Sequence, residues 1–187
     1  MDTWIWIVII AAAAALILLV ALWLMARSRR TAALRDQFGP EYDRTVEDAD
    51  SRRRAERELA ERQDRREQLD IKPLTPAARD RFLDRWRETQ TRFVDNPGAS
   101  VGDADNLVQE VMRERGYPTD DFEQRAADIS VDHPHIVENY RAAHAIAVKH
   151  ERGEADTEEL RQSLVHYRSL FEELLETREP DRSQVEA

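Results

Sequence analysis

The chain has 187 residues, no cysteine, 38 acidic against 28 basic residues and a formal net charge of −10. Residues 27–70 carry 12 basic and 12 acidic side chains, whereas residues 71–187 carry 16 basic and 25 acidic, a net of −9. That balance argues against nucleic-acid binding, since phosphate backbones are held through basic contacts that release counterions. The missing thiols rule out cysteine nucleophiles and disulfides.

Trp4 to Ala26 form an unbroken run of Trp, Ile, Val, Ala, Leu and Met. As a helix it would be roughly 34 Å long at about 1.5 Å per residue, against about 30 Å for a hydrocarbon core. Lipid offers the backbone no partners, so a helix is the form such a segment must take. Trp4 and Trp6 lie at one end and Trp23 near the other, where interfacial indoles sit. The run predicts a transmembrane helix over residues 4–26, with membrane lipid as its partner and residues 1–3 as a short extracytoplasmic N-terminus. Arg27, Arg29, Arg30 and Arg35 follow it, and only Asp2 precedes it. Positive charge stays on the cytoplasmic side, so the expected location is the cell (inner or plasma) membrane, N-terminus out and C-terminal domain in. A cleaved signal peptide would need a basic segment before a shorter apolar core. Residues 27–40 read as a juxtamembrane basic segment attracted to an anionic leaflet. It is helical through Leu34 to Phe38, until the Gly39-Pro40 breaker.

Residues 41–70 are almost wholly polar. Acid-before-base pairs four apart (Asp48 with Arg52, Asp50 with Arg54, Glu58 with Arg62, Glu61 with Arg65) would each support an exposed helix by about 0.2–0.5 kcal/mol. A long charged stalk helix is the expectation. A coiled coil is the competing one, but its best seam runs Tyr42, Val46, Ala49, Arg53, Glu56, Ala60, Gln63 and Glu67. Its apolar stripe stops after the second turn. The stalk breaks at Ile71-Lys72-Pro73-Leu74.

Thr75-Pro76 is a helix start, with Thr as N-cap and Pro in the first helical position. The following helix carries Phe82, Leu83, Trp86, Phe93 and Val94 on one face, and Asp95-Asn96-Pro97-Gly98 ends it. The next, from about Asp103 to Arg115, turns Leu107, Val108, Val111 and Met112 inward. Gly116 suits the left-handed position after it, and Pro118 blocks continuation. A short helix near Asp120 to Ile129 carries Phe122, Ala126 and Ile129. Asp132 is expected to cap a longer one bearing Val137, Tyr140, His144, Ala147 and Val148, closed by Gly153. Thr157 caps the last, whose stripe is Leu160, Leu164, Tyr167, Phe171, Leu174 and Leu175. No sustained β-branched alternation occurs. The fold class is all-α: an N-terminal transmembrane helix, a stalk, and a compact bundle of about five helices over residues 75–178. Residues 179–187 are expected to be a disordered tail.

Chemistry-bearing residues are few. His133 and His135 are two apart and on a helix would point away from each other, so no metal site is expected; they read as a helix start with solvent contact. Glu-x-x-His is absent, which removes the di-iron bundle pattern. His144 lies four after Tyr140 on an apolar stripe, as a hydrogen-bonded core histidine would; His150 and His166 read as surface or boundary positions. Trp86, Phe82 and Phe93 could line a groove, but aromatics at helical spacing belong to a core. No nucleophile elbow, phosphate loop or dinucleotide fingerprint occurs. No catalytic, cofactor-binding or metal residue is assigned, and no cofactor is expected.

The run Trp86 to Pro118, with Arg92-Phe93-Val94-Asp95, Ala104-Asp105-Asn106-Leu107-Val108, Glu110-Val111-Met112 and Arg115-Gly116-Tyr117-Pro118, resembles an uncharacterised family of bacterial single-pass membrane proteins with a helical C-terminal domain. Asp128 to Pro134 and Leu164 to Arg168 are similar to it as well. The resemblance covers roughly residues 73–176 and implies the architecture, without any established activity.

The expected function is a non-enzymatic, membrane-tethered helical interaction or scaffold module with a protein partner, since a tether raises the local concentration of weak contacts. The alternative is a small-ligand receptor or enzyme built on the bundle around Tyr140 and His144, where burial could tune an acid or base.

Overall fold

The computed structural model describes the backbone of residues 3–175 and the side chains of residue 4 and residues 14–175. Among them are eight helices and no strand: α1 (Thr3–Phe38), α2 (Pro40–Asp48), α3 (Arg52–Glu67), α4 (Pro76–Arg92), α5 (Pro97–Arg115), α6 (Phe122–Asp132), α7 (Val137–Glu151) and α8 (Thr157–Leu175). The chain is all-helical. Residues 1–2 and the tail 179–187 lie outside the described residues.

Helices α4 to α8 form the bundle. The Thr75 hydroxyl accepts from the Ala78 amide at 3.2 Å, with Pro76 opening α4. Phe82 and Trp86 enter the core from this helix, and Trp86 stacks on Phe171 of α8 with ring centroids 4.7 Å apart. Helix α8 is the central element, packed on both α5 and α7, and its whole expected stripe from Leu160 to Leu175 is buried. Gly116 ends α5 at φ 102°, and a Cβ there would come within 2.6 Å of the Asp70 carbonyl oxygen. Both the left-handed backbone and the passing chain demand glycine.

Three local expectations need correction. Val94 is 83% exposed, because α4 ends at Arg92 and its stripe stops there. Asn96 does more than end α4. Its side chain accepts from the Ala99 amide at 3.3 Å and Pro97 takes the first position, so α5 starts well before Asp103. Asp132 closes α6 rather than capping α7, which begins at Val137 after a turn through His133 to Ile136.

The largest correction concerns the stalk. Residues 41–70 are not one solvated helix. They break at Ala49–Ser51, and the two pieces fold back along α1. Gly39, at φ 48°, turns the chain so that Arg35 of α1 meets Asp43 of α2 at 2.7 Å. Ser51 then caps α3. Thr31 bonds Glu56 at 2.8 Å and Gln37 pairs with Gln63, so α3 descends parallel to α1. Leu34, Phe38, Tyr42 and Leu59 are buried together, with Val46 and Val131 against them. The short apolar stripe of Tyr42 and Val46 therefore finds its partner within the chain, and a coiled-coil seam is not needed to cover it.

Among the described residues no helix is long and apolar enough to cross a membrane. The described apolar side chains of the N-terminal run are Trp4 and residues 14–26, and the rest of the expected span lies outside them.

Candidate functional site

Three places in the structure gather residues that could act. The first is the apolar part of α1. From Leu16 to Met25 its large side chains are 48–69% exposed and no other described helix covers them. An apolar surface of that extent marks a contact with lipid or protein. Near its end stands Trp23, over whose ring the Arg27 guanidinium lies at 5.7 Å, and the exposed Arg29 and Arg30 follow.

The second is a seam of charge between α2–α3 and the bundle. Glu41 is only 1% exposed, yet it faces two guanidinium groups, Arg62 at 2.9 Å and Arg141 at 2.6 Å. Arg62 also reaches Glu58 at 2.6 Å and the Ser130 hydroxyl at 3.3 Å. Farther along α3, Arg65 approaches the inaccessible Asp128 at 4.0 Å, and Arg66 pairs with Asp132, which also accepts from the Tyr117 hydroxyl. Burial pushes Asp128 above the usual carboxylate range, although its hydrogen bond from Gln124 and the charges of Arg65 and Arg62 oppose the shift. Burial, with Asp132 beside it, also raises Tyr117, so its phenol stays protonated as a donor. A cleft of about 420 Å³ opens along this seam between Glu41, Arg44, Asp48, Arg54, Glu123 and Arg141. Its charges are already paired with one another, which makes the seam a docking device within the chain. A buried pair of this kind is costly to break and of modest net value when intact.

The third is the surroundings of Tyr140 and His144. Tyr140 is fully buried and its hydroxyl accepts from Arg125 Nε at 2.9 Å. Burial raises its pKa to about 12, so it holds its proton at neutral pH. His144 stacks on Phe122 with centroids 3.6 Å apart. Burial pulls its pKa below the ordinary value, partly opposed by Asp105. The expected hydrogen bond to His144 is absent among the described residues, and ring packing replaces it. Phe122 also touches Tyr140 at 4.9 Å, and Tyr140 meets Tyr167 edge-on at 6.3 Å. Tyr140 and His144 are thus brought onto one aromatic cluster, held from above by a guanidinium.

The remaining histidines are scattered. His133 ends α6 with Nδ1 3.0 Å from Glu173, while His135 is exposed beside Gly39. His150 is exposed above Gly98, and His166 Nδ1 lies 3.2 Å from the Asn139 side-chain oxygen. Among the described residues no three of the His, Asp or Glu side chains converge as a cation site. Phe82 and Trp86 lie in the bundle core with Phe93 against it.

The residues that sequence reasoning missed are Glu41, Arg62 and Arg141. Glu41 follows Pro40 in the first turn of α2, where any acid is favoured by the helix dipole. Nothing local distinguishes it from Asp43 beside it, which is exposed. Its role depends on an arginine 100 positions away.

No protein-family model, curated protein or solved structure matches the chain.

Proposed function

We propose that the chain is a membrane-tethered, non-enzymatic helical interaction module, anchored by α1 and presenting its acidic bundle to the cytoplasm. The observation that carries this reading is the uncovered apolar stretch of α1. Nine large apolar side chains from Leu16 to Met25 stand in the open while every other helix buries its stripe. Uncovered surface of this kind has a strong drive out of water, at about 25 cal/mol per Å². It continues the apolar sequence that begins at Trp4, for a total long enough to cross a bilayer. The arginines that close it favour a cytoplasmic bundle. The groups available for acid–base chemistry at Tyr140 and His144 are engaged in packing, which favours a binding role over a catalytic one.

Membrane fractionation of cells expressing the full chain tests the anchor. The protein should stay with the membranes after alkaline carbonate extraction. A C-terminal alkaline phosphatase fusion should be inactive and a C-terminal cytoplasmic fluorescent reporter bright. Release by carbonate would overturn the anchor, and strong phosphatase activity would overturn the orientation. In-cell crosslinking should then trap the bundle with the same protein partner whether or not residues 4–26 are exchanged for an unrelated span. Failure to trap any would count against the interaction role.

A further inference from the structure

The fold returns the chain to the level where the apolar stretch ends. Helix α1 descends to Phe38, α2 climbs back antiparallel to it, and the α2–α3 turn therefore stands near Arg27 and Arg30. Helix α3 starts there with Arg52, Arg53 and Arg54, and Arg57 follows one turn later. A cleft of about 580 Å³ opens between the two helices, lined by Trp23, Ala26, Arg27, Arg30, Arg53, Glu56 and Arg57. Four guanidinium groups from two separate helices line one opening.

The charge balance inside it is positive. Arg27, Arg30, Arg53 and Arg57 have no ion pair among the described residues. Glu56 is the acidic member of the lining, and its Oε1 already accepts from Thr31 at 2.8 Å and Tyr42 at 3.0 Å, with Arg52 at 3.4 Å. Asp48 and Asp50 on the nearby turn are bound to Arg44 and Arg54. Paired carboxylates thus surround the cleft without neutralising its four arginines. Guanidinium forks match the oxygens of a phosphate, and several on converging helices can hold one from different sides.

We propose that this cleft holds the phosphate headgroup of an anionic phospholipid. The choice of a lipid over free phosphate follows from position. The cleft adjoins the exposed apolar face from Leu16 to Met25, along which acyl chains would lie while the headgroup sits among the arginines. Trp23, 55% exposed with Arg27 over its ring, stands at the boundary, where an indole is favoured. The proposal rests on the membrane reading of α1 and adds to it a lipid preference set by α3, which lies outside any span.

The test is native mass spectrometry of the full chain released from detergent micelles carrying equal amounts of phosphatidylglycerol and phosphatidylcholine. Intact protein should retain one phosphatidylglycerol in preference to phosphatidylcholine. Arg53→Gln with Arg57→Gln should weaken that retention about fivefold per arginine, roughly 30-fold for the pair, taking the usual worth of a basic side chain near an anionic surface. Both side chains are exposed, and an unchanged helical melting curve verifies that the variant is folded. Arg29→Gln removes one arginine of α1 that does not line the cleft and should leave the preference in place. Equal retention of the two lipids, or a loss of about fivefold from Arg29→Gln alone, would overturn the site. Displacement of the lipid by millimolar inorganic phosphate would overturn the lipid assignment and make the cleft a free-phosphate site. Carbonate extraction of the same protein separates the two levels. Release would bring down the anchor and the proposal together, whereas a retained anchor without lipid preference would remove the proposal alone.

Discussion

Helices α4 to α8 and helices α1 to α3 are held together by different physics. The bundle buries a continuous apolar core, from Phe82 and Trp86 on α4 to Leu170, Phe171 and Leu174 on α8. The α1–α3 unit has five buried apolar side chains among the described residues, Leu34, Phe38, Tyr42, Ala55 and Leu59, four of them gathered in one cluster. It is attached to the rest mainly by charge, Glu41 to Arg141, Arg44 to Glu138 and Arg66 to Asp132, with Val131 of α6 as an apolar contact on its small cluster. Apolar burial is non-directional and tolerates small shifts, whereas a buried ion pair fixes a geometry at little net gain. The bundle should thus supply most of the stability, and the seam should set where the bundle sits relative to α1. An interaction module that must be presented at a defined distance from a surface would use such a division.

The sharpest break between the two regions should come from Phe171→Ala. It deletes a fully buried ring stacked on Trp86, and such truncations cost about 3–5 kcal/mol. The loss should appear as global unfolding at lower denaturant, with hydrogen exchange accelerated throughout α4 to α8. A change confined to α8 would show that the bundle is not a single cooperative unit.

Glu41→Ala should cost about 3 kcal/mol, because it strands the Arg62 and Arg141 guanidinium groups without their carboxylate. Here the effect should be local. Amides of α2 and α3 should exchange faster while those of α8 keep their protection, as expected of a region with its own opening equilibrium. Equal acceleration in both regions would erase the distinction drawn above.

Asp128→Asn should move stability the other way, by about 1 kcal/mol at neutral pH. Asp128 is inaccessible, its Oδ2 has no hydrogen-bond partner among the described residues, and burial raises its pKa. A carboxyl raised in the fold favours folding when protonated, and that contribution is lost as pH rises from the unfolded value near 3.8 through the folded one. The amide can still pair with Gln124. A lower melting temperature at pH 7 would mean that the Arg65 contact outweighs the burial of charge.

The smallest effect belongs to His144. Its folded pKa lies below the unfolded 6.5 because burial disfavours the imidazolium. The fold therefore holds neutral histidine, its contribution is complete above pH 6.5, and it fades as pH falls below that value. His144→Phe, which can keep the stack on Phe122, should show a shallower fall in melting temperature between pH 7 and pH 5 than the intact chain. Identical slopes would place the acid sensitivity elsewhere.

Much of the bundle was legible because its signals are local. Thr75-Pro76, Gly116 and the leucine–aromatic stripe of residues 160–175 each specify an element from a handful of neighbouring residues. The misread positions share a cause. Asn96-Pro97 and Asp132 are punctuation that can end one helix or begin the next, and only the packing partners choose. The stalk was misread because its polar composition matches an exposed helix, and an arginine bound to a carboxylate inside a seam has the same letter as one in water.

By itself the sequence determined that the chain is helical, that its first 26 residues are of a different character from the rest, and that five helices follow Thr75. These are matters of period, caps and composition, in which each residue acts through near neighbours. Tertiary structure alone decided that residues 41–67 fold back along α1, that Glu41 is buried between Arg62 and Arg141, and that Arg53 and Arg57 come level with Arg27 and Arg30. Such placements join residues up to 100 positions apart. They follow from how complementary surfaces dock, and no window of sequence contains both of those surfaces.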